Sequence, residues 1–260
     1  MTFTKKELYA IVSIVVVIVV ILSAFVVVPN LEKPKQEIIL SKYIKVSNGD
    51  LLSNGQDHIY FISWYGCPIG ADNSWVLYSL LNSTKNVSSD VELHKSIAGT
   101  PGLLFLNGTS NYGENISFQY AGVPFTFTSL YLYNQTMTGT VYNHTMNSSN
   151  RVNYGLSLLK GNLPATVYQI AKTWETQVGV ENKTIKNRTG TWSAMTGHLV
   201  TMLIVTGPDG TFVHFWFMYP SLSKNVSSLT VYTHLNNYPE IQSAENTLLY
   251  NIGGSNIACA

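Results

Sequence analysis

The sequence His58-Ile-Tyr-Phe-Ile-Ser-Trp-Tyr-Gly-Cys-Pro-Ile-Gly-Ala-Asp-Asn-Ser-Trp75 contains the pattern from which the fold class of this chain can be inferred. Its first part, His58 to Trp64, is rich in Ile, Tyr and Phe and is typical of a buried strand. The run from Ala71 to Leu81 has aromatic and aliphatic residues at helical spacing, which predicts a helix. Pro68 suits the first turn of that helix, because its missing N–H has no partner there. A strand, a cysteine and a helix in direct succession predict an α/β fold.

Downstream segments predict further elements of the same fold class. Leu199 to Val205 and Thr211 to Met218 are apolar runs joined by Gly-Pro-Asp-Gly, a tight-turn sequence, so they predict a β-hairpin. Pro164 opens an apolar pattern with helical spacing, and Pro239 to Ile252 predicts a final helix that ends at two glycines. The segment from about Tyr112 to Thr196 carries many Asn, Ser and Thr residues and predicts an insertion.

Cys67 is the residue best placed for chemistry. A cysteine at a helix N-terminus lies among unpaired backbone N–H groups and at the positive end of the helix dipole. Both stabilise a thiolate and make the sulfur more nucleophilic. Three interpretations stay open: a redox-active thiol, a structural disulfide with Cys259, since two cysteines in an exported domain usually pair, or a buried, inert thiol.

A proline supplies the second feature of the predicted site. In thioredoxin-fold enzymes a proline, usually cis, precedes a strand beside the reactive cysteine, and Thr100-Pro101 before Gly102 to Leu106 is similar to that arrangement. This likeness predicts Pro101 as a backbone clamp beside Cys67. If the hairpin at 199–218 instead occupies the central position in the sheet, no proline stands directly before it.

The stretch from Tyr60 to Trp75, together with Asn256-Ile-Ala-Cys259, resembles an archaeal family of membrane-anchored, thioredoxin-like proteins known as domain of unknown function 929. The resemblance extends roughly from Tyr60 to Ala260 and is dense around Cys67 and at the C-terminus. It implies a thioredoxin-like sheet and a Cys-x-x-Cys site. Here Gly70 takes the position of the second cysteine. Because a dithiol needs that second thiol to release a mixed disulfide, Cys67 is expected to act as a monothiol or with a partner thiol elsewhere.

The segment from Leu8 to Val28 is uncharged and consists mostly of Val, Ile and Leu. At about 1.5 Å per residue it covers roughly 31 Å, the thickness of a bilayer's hydrocarbon core, which predicts a membrane-spanning helix. The lysines before it favour a cytoplasmic tail at 1–7. Residues 29–40 then form a linker and 41–260 an extracytoplasmic domain. The alternatives are a cleaved signal peptide, whose apolar region is usually shorter, and a buried core helix, which seldom lacks polar residues all round.

The predicted outer domain carries ten Asn-x-Ser/Thr sequons. Random pairing of the 23 Asn with the Ser and Thr of this chain would give roughly four, so the excess predicts glycosylation. The candidate sites are Asn82, Asn86, Asn107, Asn115, Asn134, Asn143, Asn147, Asn182, Asn187 and Asn225. All ten lie on the C-terminal side of the predicted membrane helix.

Composition excludes several function classes. Hydrophobic residues make up 45% of the chain, so a core can form, whereas charged residues make up only 11%, against about 25% in typical domains. The net charge of +1 without a basic cluster argues against nucleic-acid partners. The six His residues are scattered and no cofactor motif occurs, so no metal or cofactor is predicted.

Together these features predict a membrane-anchored, extracytoplasmic protein with a thioredoxin-like sheet that carries an insertion. Its predicted role is thiol–disulfide handling through Cys67, with the membrane and other envelope proteins or their thiols as partners. The alternative is a non-catalytic, glycosylated cell-envelope protein that uses the same fold for structure or interaction.

Overall fold

The computed structural model of the protein describes residues 42–106, 115–120, 123–182 and 188–253. These residues form ten strands and six α-helices in the part of the chain so described. The strands are β1 (Ile44–Ser47), β2 (Asp57–Ser63), β3 (Val91–Lys95), β4 (Pro101–Phe105), β5 (Asn115–Tyr120), β6 (Val123–Tyr131), β7 (Val180–Asn182), β8 (Arg188–Gly190), β9 (Met202–Gly207) and β10 (Gly210–Phe215). The helices are α1 (Pro68–Asn82), α2 (Arg151–Asn162), α3 (Ala165–Thr176), α4 (Trp192–Thr196), α5 (Ser228–Thr233) and α6 (Pro239–Gly253).

Six of the strands form one mixed sheet in the order β1-β10-β9-β2-β6-β5. Strands β2 and β6 are parallel, and every other neighbouring pair in this sheet is antiparallel. The predicted hairpin is confirmed as β9 and β10, and β9 lies directly beside β2. Strands β3 and β4 form a separate two-stranded ribbon, as do β7 and β8. The protein is therefore a mixed α/β fold with β2 near the middle of its main sheet.

Both faces of the main sheet are covered, which explains why β2 has an unbroken apolar run from Ile59 to Ile62. Side chains of a strand point alternately to opposite faces. Ile59 and Phe61 contribute to an apolar cluster that also contains buried residues of α1 and α6. Tyr60 and Ile62 contribute to a second cluster, with residues of α2, α3 and α4. The helices thus form one layer on each side of the sheet.

The strongest local patterns of the sequence correspond to observed elements. The predicted helices at 71–81, after Pro164 and at 239–252 are confirmed as α1, α3 and α6. Helix α2 was not predicted, because its two glycines lower helix propensity. One of them is required by packing: a Cβ at Gly155 would lie 2.6 Å from the Tyr133 hydroxyl oxygen.

Part of the predicted insertion belongs to the main sheet. Strand β6 pairs with β2 from Asp57 opposite Phe125 to Ser63 opposite Tyr131. The rest of that segment includes α2, α3 and α4, which cover one face of the sheet. Within the described residues no helix is both long and apolar enough to span a membrane. The predicted tail at 1–7, helix at 8–28 and linker at 29–40 lie outside the described residues.

Most of the described sequon asparagines lie on the surface. The exposed ones are Asn82, Asn86, Asn115, Asn143, Asn147 and Asn225. Asn134 is half-buried, and its side-chain amide donates to the Asn143 side chain at 3.2 Å. Asn107 and Asn187 lie outside the described residues, and only the backbone of Asn182 is described, in β7.

Candidate functional site

The turn between β2 and α1 places Cys67 at the N-terminal end of a 15-residue helix. Cys67 is the N-cap residue, with an extended backbone at φ −68° and ψ 122°, and Pro68 follows it in the first turn. The Cys67 N–H donates to the Trp64 carbonyl at 3.1 Å, and the Ala71 N–H donates to the Cys67 carbonyl at 2.9 Å. The predicted position of this cysteine is therefore confirmed.

Several hydrogen-bond donors converge on the Cys67 sulfur. The Thr201 hydroxyl donates to Sγ at 2.9 Å. The backbone N–H groups of Ile69 and Gly70 and the Ser63 hydroxyl also donate to this sulfur. The hydroxyl oxygens of Ser63 and Thr201 are 2.8 Å apart. Two hydroxyls and two amides thus surround one sulfur atom.

Burial opposes the effect of these donors. The Cys67 side chain is only 5% exposed. Burial raises the pKa of the Cys67 thiol; the hydrogen bonds from Thr201, Gly70, Ile69 and Ser63 lower it by less, so the pKa is raised overall. The resting sulfur is consequently a protonated thiol at neutral pH. The same donors stabilise negative charge on the sulfur when a reaction develops it there.

The structure leaves no room for a side chain at position 70, where the second thiol of a Cys-x-x-Cys site would lie. A Cβ on Gly70 would lie 2.1 Å from the Ser63 hydroxyl oxygen and 3.3 Å from the Cys67 Cβ. The Ser63 hydroxyl therefore fills the space into which a side chain at position 70 would project. The two-thiol arrangement is excluded unless Ser63 moves.

Cys67 lies in the wall of a cavity of about 190 Å³. Most of the lining is apolar, with aromatic rings from several elements. The lining residues are Trp64, Cys67, Pro68, Ile69, Trp192, Thr196, His198, Val200, Thr201, Phe215 and Trp216. Trp64 is a buried core residue that also borders this cavity, whereas Trp75 is buried in the core outside the lining. The cavity admits an apolar group to the vicinity of the sulfur.

His198 borders the same cavity, although the sequence placed no histidine near Cys67. Its Nδ1 lies 3.0 Å from the Thr196 carbonyl oxygen. A carbonyl only accepts hydrogen bonds, so Nδ1 carries the proton and Nε2 of the neutral ring has a free lone pair. Burial lowers the pKa of His198, which keeps the ring neutral at physiological pH.

Local sequence patterns do not identify Thr201, Ser63 or His198 as site residues. The contacts that bring these residues together depend on the register between β2 and β9. Ile62 of β2 lies opposite Met202 of β9, so the end of β2 meets the start of β9. A usable signal was present: residues directly before and at the start of the predicted strand at 199–205 lie at the cysteine edge if that strand is antiparallel to β2.

Pro101 is not brought to the sulfur. None of the described peptide bonds is cis, so Thr100–Pro101 is trans. Pro101 begins β4, outside the main sheet, and its carbonyl accepts a hydrogen bond from the Trp75 indole at 3.0 Å. Thr201 occupies the place beside Cys67 that was predicted for Pro101. The alternative in which the 199–218 hairpin is central therefore describes the sheet correctly.

The remaining predicted site residue, Cys259, lies outside the described residues, and Cys67 carries a free thiol. Among the residues that the structure describes, no group of three or more His, Cys, Asp or Glu side chains is arranged to hold a metal ion.

Comparison with known proteins gives one match. No curated protein and no solved structure matches the chain. The model of one family, described as a domain of unknown function (DUF929), matches residues 42–253. This match covers most of the chain, including β2, Cys67, the β9–β10 hairpin and α6. The protein therefore belongs to the domain of unknown function 929 family.

Proposed function

We propose that this protein is a membrane-anchored, extracytoplasmic, thioredoxin-like protein that exchanges disulfides through the single thiol of Cys67. One observation carries the proposal: the Cys67 sulfur accepts hydrogen bonds from Thr201, Ile69 and Gly70 at the end of a helix and at the wall of a cavity. Sulfur is a weak acceptor when it is a neutral thiol. Donors arranged in this way are best matched to a thiolate.

The strand arrangement supports the thioredoxin-like part of the proposal. The cysteine follows a strand that has a parallel neighbour on one side and an antiparallel hairpin on the other. Helix α6, which lies downstream of the hairpin, packs against α1, the helix that begins directly after the cysteine. Thioredoxin-like domains share this order of elements. The missing cis-proline and second cysteine distinguish this chain from the enzymes of that fold.

The proposed chemistry is thiol–disulfide exchange with a partner disulfide. The Cys67 thiolate attacks one sulfur of the partner, a bond forms between these two sulfurs, and the partner's own S–S bond breaks. The second partner sulfur leaves as a thiolate and takes up a proton. Because Gly70 supplies no thiol, a thiol of another molecule must attack the mixed disulfide and return Cys67 to its reduced form.

The compartment is part of the proposal. It is supported by the apolar segment at 8–28 and by the exposed sequon asparagines of the described domain. Disulfides persist mainly outside the cytoplasm, so an exported domain would meet its substrates there. Recovery of the intact, unglycosylated chain from the soluble cytoplasmic fraction would overturn the anchor and the export together.

A specific observation favours a second candidate, a non-catalytic envelope protein. The Cys67 pKa is raised by burial at 5% exposure, and the Ser63 hydroxyl fills the space of a second thiol. A thiol that is never ionised or reached by a partner would be a packing residue. The same scaffold would then serve structure or recognition.

Reaction with oxidised glutathione distinguishes the two candidates. The full-length Cys259→Ser protein in detergent is incubated between pH 6 and pH 9, and the intact mass is followed over time. We expect one glutathione on Cys67, with a rate that increases with pH because the pKa of Cys67 is raised. The Cys67→Ser, Cys259→Ser chain should gain none. Modification only after unfolding, by oxidised glutathione and equally by the neutral aromatic disulfide 2,2′-dithiodipyridine, would exclude the exchange function and leave the non-catalytic candidate.

A further inference from the structure

Trp216 has a backbone conformation that side chains other than glycine rarely adopt. It directly follows β10 and has φ of +104°. Residues held in such sparsely populated conformations are strained and persist only where surrounding contacts fix them. Trp216 is half-buried and not fully buried, so burial of its ring offsets the strain only in part.

Asn73 supplies the contacts that fix this conformation. Its side-chain amide donates to the Trp216 carbonyl at 2.8 Å, and its side-chain oxygen accepts from the Met218 N–H at 2.9 Å. Asn73 is only 2% exposed and belongs to α1, the helix that begins directly after Cys67. One helix thus fixes both the sulfur and the strained tryptophan.

The strained conformation places Trp216 in the wall of the cavity beside Cys67. Trp64 and Trp192 border the same cavity. The lining includes no Asp, Glu, Lys or Arg, and burial lowers the pKa of His198 so that its ring is neutral. A charged occupant would therefore be desolvated without a partner, which is unfavourable. The lining selects a neutral, apolar group.

The size of the cavity limits the occupant further. Its volume is about 190 Å³, and an apolar protein cavity of about 150 Å³ binds benzene. A single aromatic ring therefore fits. Because Cys67 is one of the lining residues, a ring in this cavity would belong to the molecule whose disulfide is attacked, within a few bonds of that disulfide.

We propose that this cavity is the subsite for an aromatic group next to the disulfide that Cys67 attacks, and that Asn73 is a positioning residue that holds Trp216 in its wall. The inference rests on the exchange function proposed above and adds the chemical class of its substrate. Aromatic stacking on Trp216 and Trp64 provides the recognition.

Two thiosulfonate reagents test the selectivity. With either reagent, the Cys67 thiolate attacks the sulfenyl sulfur, a mixed disulfide forms and methanesulfinate leaves. Full-length Cys259→Ser protein is treated in detergent with benzyl methanethiosulfonate or with its 2-sulfonatoethyl counterpart. We expect the ratio of the benzyl rate to the sulfonatoethyl rate to be about tenfold higher for the folded protein than for the urea-unfolded chain, a difference of about 1.4 kcal/mol.

Variants of the wall identify the residues responsible. Trp216→Gly should fold, because glycine accepts the φ of +104°, and should lose the selectivity. Asn73→Ala should reduce it, whereas Trp216→Phe should retain most of it. Tyr142→Gly, which removes an exposed aromatic outside the cavity lining, is the matched control and should leave the ratio unchanged.

The possible outcomes separate the subsite from the exchange function. Equal rate ratios for folded and unfolded protein, with rapid reaction of both reagents, would overturn the aromatic subsite and leave the exchange function intact. No reaction of the folded protein with either reagent would overturn both. Selectivity that survives Trp216→Gly would exclude Trp216 as a recognition residue.

Discussion

The Thr201 hydroxyl oxygen lies 2.9 Å from the Cys67 sulfur and joins two residues that are 134 positions apart in the chain. Thr201 directly precedes β9, and Cys67 follows shortly after β2. The antiparallel register of these strands, with Ile62 opposite Met202, brings the two residues to the same edge of the sheet. The electrostatic environment of the thiol therefore depends on the pairing of two central strands.

Thr201→Val should slow the reaction of Cys67 without unfolding the protein. The substitution keeps the shape of the side chain and removes the hydroxyl that donates to the sulfur. A hydrogen bond to a charged group contributes about 1.5–3 kcal/mol, so the glutathionylation rate at pH 8 should fall by about tenfold or more. Thr196→Val is the control in the same cavity, because the Thr196 hydroxyl donates to the Trp192 carbonyl instead. Equal rates for Thr201→Val and the parent protein would show that this hydrogen bond does not promote the reaction.

Gly70→Cys alone should destabilise the protein rather than restore a dithiol. The new Cβ would lie 2.1 Å from the Ser63 hydroxyl oxygen, and overpacking of this kind costs about 1–3 kcal/mol. Adding Ser63→Ala should recover part of that loss and allow a disulfide between positions 67 and 70. Thermal melting and thiol titration measure the two effects. Full stability of Gly70→Cys without the second change would contradict the steric explanation.

Gly161→Ala provides the matched glycine control. Gly161 lies in α2, and no atom is within 4 Å of the position that its Cβ would occupy. An alanine there should raise the free energy of unfolding by up to about 1 kcal/mol, since glycine is unfavourable within a helix. If Gly70→Cys lowers the free energy of unfolding and Gly161→Ala raises it, the loss at position 70 is due to the contact with Ser63 and not to the removal of a glycine as such.

The sequence predicts elements that depend on neighbouring residues better than contacts between segments that are far apart in the chain. Strand β2, helix α1 and the β9–β10 hairpin are specified by local periodicity and turn chemistry, so they could be predicted. The contact between Thr201 and Cys67 depends on register between distant segments, which no local pattern reports. Pro101 shows the converse: its local sequence is similar to that of a thioredoxin-type proline, but β4 pairs with β3 in a separate ribbon.

The stability of the fold should decrease as the pH rises from about 4 to about 7. Asp57 is 3% exposed, and burial raises its pKa to about 7, with further increases from the negative charges of Asp209 and Asp50. Burial likewise raises the pKa of Asp72 to about 6. The folded state therefore binds more protons than the unfolded state in this window, where ordinary aspartates are ionised. Each such group can lower the free energy of unfolding by at most about 1.4 kcal/mol per pH unit.

Urea unfolding at a series of pH values measures this dependence, and Asp57→Asn identifies its source. The amide has the shape of the neutral acid and does not ionise, so the dependence between pH 4 and pH 7 should become weaker. Glu92→Gln is the surface control, since Glu92 is exposed. The pKa of Asp50 is lowered, so its ionised side chain stabilises the folded state throughout this window. That stabilisation is lost only below about pH 4. A parent protein that becomes more stable toward pH 7 would contradict the assignment.

The relative direction of α1 and α6 bears on the pairing of Cys67 with Cys259. The Ser79 hydroxyl, near the end of α1, donates to the Glu245 carboxylate at 2.5 Å. Toward the start of both helices, the Glu240 carboxylate raises the pKa of Asp72 by charge repulsion, an effect smaller than that of burial. The two helices therefore run side by side in the same direction. The C-terminal end of α6 points away from Cys67.

We accordingly expect no disulfide between Cys67 and Cys259 within one chain. At about 1.5 Å per residue, Cys67 lies about 18 Å behind Ser79, whereas Gly253 lies about 12 Å beyond Glu245, which gives a separation of about 30 Å. The six residues after Gly253 span at most about 22 Å, and a disulfide allows roughly 6 Å more between Cα atoms, so even a fully extended tail falls short. Peptide mapping of the full-length protein without reductant should recover the two cysteines on separate peptides. A peptide pair linked through Cys67 and Cys259 would show that the last turns of α6 unwind, and it would support the structural-disulfide interpretation of Cys67.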